Sequence, residues 1–253
     1  MESLFRYVAP PTPCGYLPSE RWSLEYEYVG AMTQGEYLVR MLEGWRRFGT
    51  TLFRPACAAC NSCRAVRVDA SRFRSDRGQR RCRAANEADV HVVIGKPSVT
   101  RAKLALYDQF HAYQSEHKGW PLHPAKDAAG YADSFVHHPF AVEEWNYFIG
   151  DRLAGVGYVD CLPSLEGEAA PAGAGHGEQG GLSAIYFFYA PQERNRALGT
   201  WNVLCMLEAA RRRQLPYVYL GYYVEGCTSM EYKVRFAPNQ LRWPDGSWRD
   251  FRP

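Results

Sequence analysis

The stretch LSAIYFFYAPQERNRALGTW, residues 182–201, runs an aromatic strand pattern into a charged turn and out into a helix. Working outward, FAVEEWNYFIG (140–150) and DRLAGVGYVDCL (151–162) read as two earlier strands joined by the turn Gly150-Asp151. A helix is expected from about Arg194 to Gln214, followed by the strand PYVYLGYYV (216–224) and a short helical SMEYKVRF. Between the second and third strands, EGEAAPAGAGHGEQGG (166–181) is too small, glycine-rich and polar to bury much apolar area, so it reads as a flexible hairpin insertion.

Strand, strand, strand, helix, strand is an acyltransferase-like order. The expected class is α+β with a GNAT-like fold, in which a central strand leads to a helix whose first amides face a phosphate-bearing acyl donor. Arg194, Arg196 and Gly199 sit at that junction, the glycine allowing close approach of backbone to a ligand. The plain alternative is a charged helix start and a packing contact.

The first half has a different rhythm. Residues 35–48 place Leu38, Met41, Leu42, Trp45 and Phe48 at helical spacing, with Gly49 where a C-cap would sit. RAVRV reads as a short strand, a helix is expected from Ser75 as N-cap to Asn86, VHVVIG reads as a strand, and Ser98 opens a helix to about His117. The expected division is 1–98, an α/β part rich in Cys and Arg, packed on 99–253, the acyltransferase-like part.

Charge is concentrated. The formal net charge is +3, yet residues 54–86 hold nine Arg against Asp69 and Asp76, leaving the remainder acidic. Guanidinium forks suit phosphate, so a polyanionic partner is expected, with a solvated helix face as the plain alternative. Cys57, Cys60 and Cys63 stand at C-x2-C-x2-C spacing, which suits metal ligation from one loop or simple burial of reduced thiols. The start MESLFRYVAPPTPCGY has no signal-peptide pattern and no run approaches a membrane span, so a cytoplasmic protein with no membrane partner is expected.

Several segments together resemble the aminoacyl-tRNA-protein transferases, which append an amino acid to proteins bearing a destabilising N-terminus. The matching pieces are Pro13-Cys14-Gly15-Tyr16-Leu17-Pro18, Phe53-Arg54-Pro55-Ala56-Cys57 with Cys60 and Cys63, the run Ser71 to Arg81, and Gly181 to Tyr186. Leu198-Gly199-Thr200-Trp201, the run Leu215 to Gly226 and the run Met230 to Pro238 complete the set, which spans nearly the whole chain. The pattern is nearer the bacterial leucyltransferases acting on N-terminal Asp and Glu than the larger eukaryotic arginyltransferases. Two departures stand out: the long insertion at 166–181, and Leu17 where the eukaryotic pattern has a second cysteine. The family's iron-sulfur chemistry therefore does not carry over intact.

The resemblance implies attack of an acceptor's α-amine on the ester of leucyl-tRNA, with no cofactor needed for transfer. The partners are then aminoacyl-tRNA and acceptor proteins beginning with Asp or Glu. Asp160 and Glu225 are the expected proton acceptors, and Tyr219, Tyr222 and Tyr223 candidate hydroxyl donors. Strand alternation puts Tyr219 and Tyr223 on one face and Tyr222 on the other unless a bulge intervenes. Lys233 and Arg235 are candidates for the acceptor's carboxylate. Tyr186 and Phe188, in the run to Tyr189, are candidate walls for the leucyl group, with burial in a core as the alternative. Arg77, Arg80, Arg81 and Arg83 are expected to meet the tRNA backbone, joined by Arg194, Arg196 and Gly199. Cys14 is the candidate fourth ligand beside Cys57, Cys60 and Cys63, for zinc or an iron-sulfur cluster, between which spacing does not choose. Competing readings are an arginyltransferase, which needs a carboxylate in its aminoacyl pocket, and a non-catalytic metal-containing RNA-binding module.

Overall fold

A computed structural model describes residues 1–122, 124–164 and 179–252. The greater part of the insertion expected at 166–181 lies outside the described residues. In chain order, β1 (Glu2–Val8) is followed by the short hairpin β2 (Thr12–Pro13) and β3 (Arg21–Trp22), then β4 (Leu24–Ala31) and α1 (Gln34–Leu42). Next come β5 (Arg46–Phe48), β6 (Thr51–Pro55), β7 (Cys63–Asp69), α2 (Arg77–Asn86), β8 (Val90–Gly95), α3 (Arg101–Lys118) and α4 (Ala128–Phe135). The remainder is β9 (Glu143–Ile149), β10 (Arg152–Leu162), β11 (Gly181–Tyr189), α5 (Leu198–Arg212), β12 (Tyr217–Val224), α6 (Thr228–Glu231), β13 (Asn239–Arg242) and β14 (Trp248–Phe251).

The strands form an eight-stranded sheet, β14-β13-β7-β12-β11-β10-β9-β8, and a four-stranded antiparallel sheet, β1-β4-β6-β5. Within the large sheet β9, β10 and β11 are antiparallel, and α5 carries the chain from β11 to the parallel strand β12. This is the α+β, acyltransferase-like layout expected. A boundary at residue 98 does not coincide with a break in the sheet, because β7 pairs with β12 and β8 with β9.

Local signals explain most boundaries. Asp76, not Ser75, caps α2: its carboxylate accepts from Gln79 N and the Gln79 side chain returns the bond to Asp76 N. Thr100, not Ser98, caps α3. The helix expected over 35–48 stops at Leu42, since Gly44 turns the chain at φ +96° and residues 46–48 become β5. Trp45 keeps its burial all the same, 0% exposed in a core with Tyr37, Leu38 and Met41.

One core, including Val66, Val68, Leu204, Leu207 and Leu220, lies between the large sheet and α5. The cores of α1 and of α3 with α4 hold Tyr219, Tyr158 and Phe188 from the same sheet. The small sheet is fastened to the large one by Arg47 of β5, which ion-pairs with Asp160 of β10, both side chains 0% exposed. Arg47 also donates to Gly49 O at 2.9 Å and stacks over the Phe140 ring at 4.6 Å. Arg47→Met strands the Asp160 charge in the interior and should cost about 3–5 kcal/mol, whereas Arg47→Met with Asp160→Leu should recover most of that loss. Urea unfolding of the two variants checks both outcomes.

Candidate active site and nucleic-acid interface

β11 and β12 pair at three positions only: Gly181 with Tyr217, Leu182 with Val218, and Ser183 with Tyr219. Beyond these β11 keeps to β10 and β12 keeps to β7, so a V-shaped opening separates Ala184–Tyr189 from Leu220–Val224. The parting coincides with a bulge in β12, where register shifts between Tyr219 and Tyr222 and Gly221 takes φ +78°. At this open end α5 begins with Ala197 in the left-handed region and no side chain capping it. Its first amides, including that of Gly199, are left to an outside acceptor.

The arginine helix α2 bridges the mouth. Gln79 Nε2 donates to Arg235 O at 3.0 Å, in the 3-10 turn Tyr232–Arg235 that follows β12. Two helical turns on, Asn86 Nδ2 donates to Arg196 O at 2.9 Å, in the 3-10 turn Pro191–Arg196 that follows β11. With Gln79, Cys82 and Asn86 buried on that contact, Arg77, Arg80 and Arg81 face outward, exposed and without a salt bridge among the described residues. Arg194 and Arg235 are exposed near the same mouth. Arg196 and Arg83 are placed otherwise: Arg196 is bidentate to Asp89 and also paired with Glu193, which clamps α2 to the turn, and Arg83 pairs with Glu87.

On the other side of the sheet, the bulge alters the alternation expected of the tyrosines. Tyr219 and Tyr222 share the face toward Arg46, and Tyr223 packs with Leu220 in the α5 core. Neither of the first two offers a free hydroxyl: Tyr219 donates to Gln179 O at 2.6 Å and Tyr222 to Gly44 O at 2.7 Å. Arg46 donates to the bulge carbonyl, Gly221 O, at 3.3 Å. Lys233 is buried and donates to Tyr222 O at 2.6 Å, so it braces the bulge rather than presenting a charge. Burial first, and Arg46 second, bring its pKa down to about 7.

The two expected proton acceptors lie apart. Asp160 pairs across β10 and β11 with Ser183, beside the apex of the V, and its carboxylate is held by Arg47. Burial pushes its pKa up against the pull of that guanidinium. Glu225 is exposed beyond the end of β12, about 20 Å along the strand from Tyr219.

On the β11 side the opening meets an aromatic wall. Tyr186 packs edge-on against Phe48 at 5.6 Å and on Phe135 at 5.6 Å, and its hydroxyl meets His111 Nε2 at 2.8 Å. Ile185 joins it, half-buried, whereas Phe188 is 0% exposed and belongs to the core with Tyr107 and Tyr158. The carboxylates of this region are in ion pairs, Glu144 with Lys103 and Asp160 with Arg47.

The cysteine loop gathers where β7 begins. Burial first, then Cys57, Cys14 and Cys60, push Cys63 up to about 12, and Cys227 joins the group. Cys14 Sγ accepts from Tyr16 N and Leu17 N at 3.4 Å, and Cys57 Sγ donates to Ser23 O at 3.7 Å. Among the described residues no three His, Cys, Asp or Glu side chains are arranged as metal ligands. The four expected sulfurs share a neighbourhood without forming a ligand shell.

The sequence pattern missed Arg46, Arg47 and the role of Gly221. Only the glycine left a trace, as a residue without β propensity inside an aromatic strand.

A parted strand pair, an uncapped helix start and a basic helix across the mouth define an acyltransferase fitted to a polyanionic donor. Sequence profiles agree: "Arginine-tRNA-protein transferase, N terminus" matches residues 12–81 and "Arginine-tRNA-protein transferase, C terminus" residues 176–242. Aspartate/glutamate leucyltransferase from Helicobacter hepaticus is 31% identical over 94% of this chain and 92% of its own. The namesakes from Stenotrophomonas maltophilia R551-3 (36%, covering 94% and 90%) and Marinobacter nauticus (31%, covering 99% and 97%) are similar over like spans. The chain belongs to the aminoacyl-tRNA-protein transferase family. It is an aminoacyltransferase, with an aminoacyl-tRNA as donor and a protein as acceptor. The solved structure of L-PGS from Bacillus licheniformis superposes with TM-score 0.43 at 12% identity, covering 74% of this chain and 58% of that one. No helix among the described residues is long and apolar enough to cross a membrane.

Two outcomes follow from this geometry. Replacing Arg77 and Arg81 by Gln should weaken tRNA binding and reduce the slope of log affinity against log salt by roughly 1.5–2, read by filter binding across a salt series. For Lys233, the folded pKa of about 7 lies below the ordinary 10.5. Between pH 7 and 9 the unfolded chain therefore binds more protons and this lysine makes stability rise with pH, by at most about 1.4 kcal/mol per unit. Lys233→Met should remove that rise, measured as urea stability of wild type and variant at both pH values.

Proposed function

We propose that the protein transfers leucine from Leu-tRNA to the α-amine of proteins beginning with Asp or Glu. The observation that carries this reading is the wall of Phe48, Ile185 and Tyr186 beside the opening, together with nearby carboxylates already engaged by Lys103 and Arg47. An apolar wall suits a leucyl side chain. An arginyl group would need a carboxylate there. The relatives named aspartate/glutamate leucyltransferase support the same choice.

In this reading the arginines of α2 hold the tRNA backbone, and the 3′ end enters the V between β11 and β12, its ester near the uncapped start of α5. The acceptor's amine approaches from the face of Arg46 and Tyr222. An α-amine has a pKa of about 8, so a useful fraction is neutral near pH 7, and the ester is already activated. Holding the two together supplies the greater part of the acceleration. In this reading transfer itself requires no cofactor. Charged tRNA being a cytoplasmic carrier, the reaction is placed in the cytoplasm.

Incubation with labelled Leu-tRNA or Arg-tRNA and peptides beginning with Asp, Glu, Lys or Arg tests the reading. Leucine should pass to the Asp and Glu peptides only. Arginine passing instead assigns the arginyl reaction, and binding of tRNA without transfer to any peptide would defeat the catalytic reading altogether.

A further inference from the structure

A cavity of about 330 Å³ lies between the end of β13, the cysteine loop and the bulged half of β12. Three guanidinium groups line it, those of Arg54, Arg64 and Arg242, against the carboxylates of Glu25 and Glu43. Both carboxylates are engaged: Glu25 with Arg6 and Arg54, Glu43 with Arg40. Arg64 and Arg242 make no salt bridge among the described residues. The wall therefore carries cationic charge that the fold does not balance.

The donors of this wall are also unmatched. Arg64 Nε and the indole N–H of Trp243 are buried with no acceptor among the described residues. The two groups are stacked, the Arg64 guanidinium 4.3 Å from the Trp243 ring, so they face the cavity as a fixed pair. Arg242 donates Nε to Leu42 O at 2.8 Å, which fixes the fork and leaves its terminal nitrogens over Gly44 and Gly246. Burial, then Arg54, hold Arg242 below the ordinary arginine pKa, with Glu43 pulling the other way. What the unmatched donors of Arg64 and Trp243 lack is a partner group that only accepts hydrogen bonds and carries negative charge. An ionised carboxylate is that group, and a guanidinium fork binds it bidentately.

We propose that this cavity receives the side-chain carboxylate of the acceptor's first residue, Asp or Glu, with Arg242 and Arg64 as its cations and Trp243 as a neutral donor. The proposal rests on the acidic acceptor named under Proposed function. Position supports it. Tyr222, next to the Gly221 bulge, is part of the cavity wall, so an acceptor anchored here has its amine directed along the unpaired edge of β12. Ala65 and Tyr222 line the cavity from the sheet face opposite α5, whereas α2 packs on α5. Donor and acceptor then reach the opening from opposite faces. A nucleic-acid backbone is better served by the exposed arginines of α2 than by this recess.

The test uses the full chain and two C-terminally labelled peptides that differ only in beginning with Asp or Asn, with affinity read by fluorescence anisotropy. Wild type should prefer the Asp peptide by about 10- to 100-fold, the range of a buried charge-assisted contact. Arg242→Gln and, separately, Arg64→Gln should each erase most of that preference while tRNA binding stays within about twofold of wild type. A wild type indifferent to Asp and Asn, or both variants keeping the preference, overturns the site. A fall in tRNA affinity with the preference intact also overturns it, and assigns the cavity to phosphate. Should Arg242→Gln fail to fold for want of its bond to Leu42 O, Arg64→Gln decides alone. Arginine-dependent binding of the Asp peptide without leucine transfer would sink the leucyl reading and leave this site standing. Leucine transfer to Asp peptides at an unchanged KM in Arg64→Gln and Arg242→Gln would do the reverse.

Discussion

The ion pair between Arg47 and Asp160 joins two sheets that share no strand pairing among the described residues, and the rest of the architecture is arranged around its burial. A guanidinium with no exposure needs partners for its charge. Asp160, Gly49 O and His138 Nδ1 engage its two terminal nitrogens, with Tyr37 and Phe140 as the stacking faces, while Nε has no acceptor among the described residues. His138 must be neutral to accept from an arginine. Burial first, then Arg47 itself, bring its pKa down to about 4, and its other nitrogen meets Phe135 O at 2.8 Å. Asp160, an expected proton acceptor, is thereby drawn into a structural role.

That fastening settles what each sheet face does. The small sheet and α1 cover the face bearing Tyr219 and Tyr222, and α5 with α2 covers the face bearing Val66, Leu220 and Tyr223. Between these faces β11 parts from β12 beyond Ser183. A basic helix lies across one side of that gap and a nest of arginines lies on the other. A reaction joining a nucleic-acid-borne ester to a protein amine needs two approaches that do not collide, and a sheet with one open seam provides them.

How much of this was legible in the sequence depended on the range of the interaction. Strand order from residue 140 onward and the span of α2 to Asn86 are local patterns, and they were readable, although the cap is Asp76 and not Ser75. The strand β5 was not, because Trp45 and Phe48 continue the helical spacing of α1 and only pairing with β6 draws residues 46–48 into a sheet. Likewise β7 reads as an isolated strand, and nothing nearby announces that it inserts between β12 and β13. The arginine-rich stretch illustrates the limit within one segment. Arg77, Arg80 and Arg81 remain exposed as a solvated or phosphate-binding face would, whereas Arg67 is buried over Tyr217 at 3.9 Å and Arg64 is stacked on Trp243. Composition counts these charges alike, and only tertiary packing separates them.

The three residues of β5 also explain why the seam stays open. Arg46 reaches Gly221 O on β12, Arg47 reaches Asp160 on β10, and Phe48 packs on Tyr186 of β11. One short strand therefore touches all three strands at the parting and fixes their separation. If β12 were to close onto β11 beyond Ser183, Gly221 would have to leave its left-handed conformation and Arg46 would lose the carbonyl it holds. The opening is a braced feature of the resting fold, so in the proposed reading a charged 3′ end would meet a formed slot and ordering the slot would add no cost to its binding.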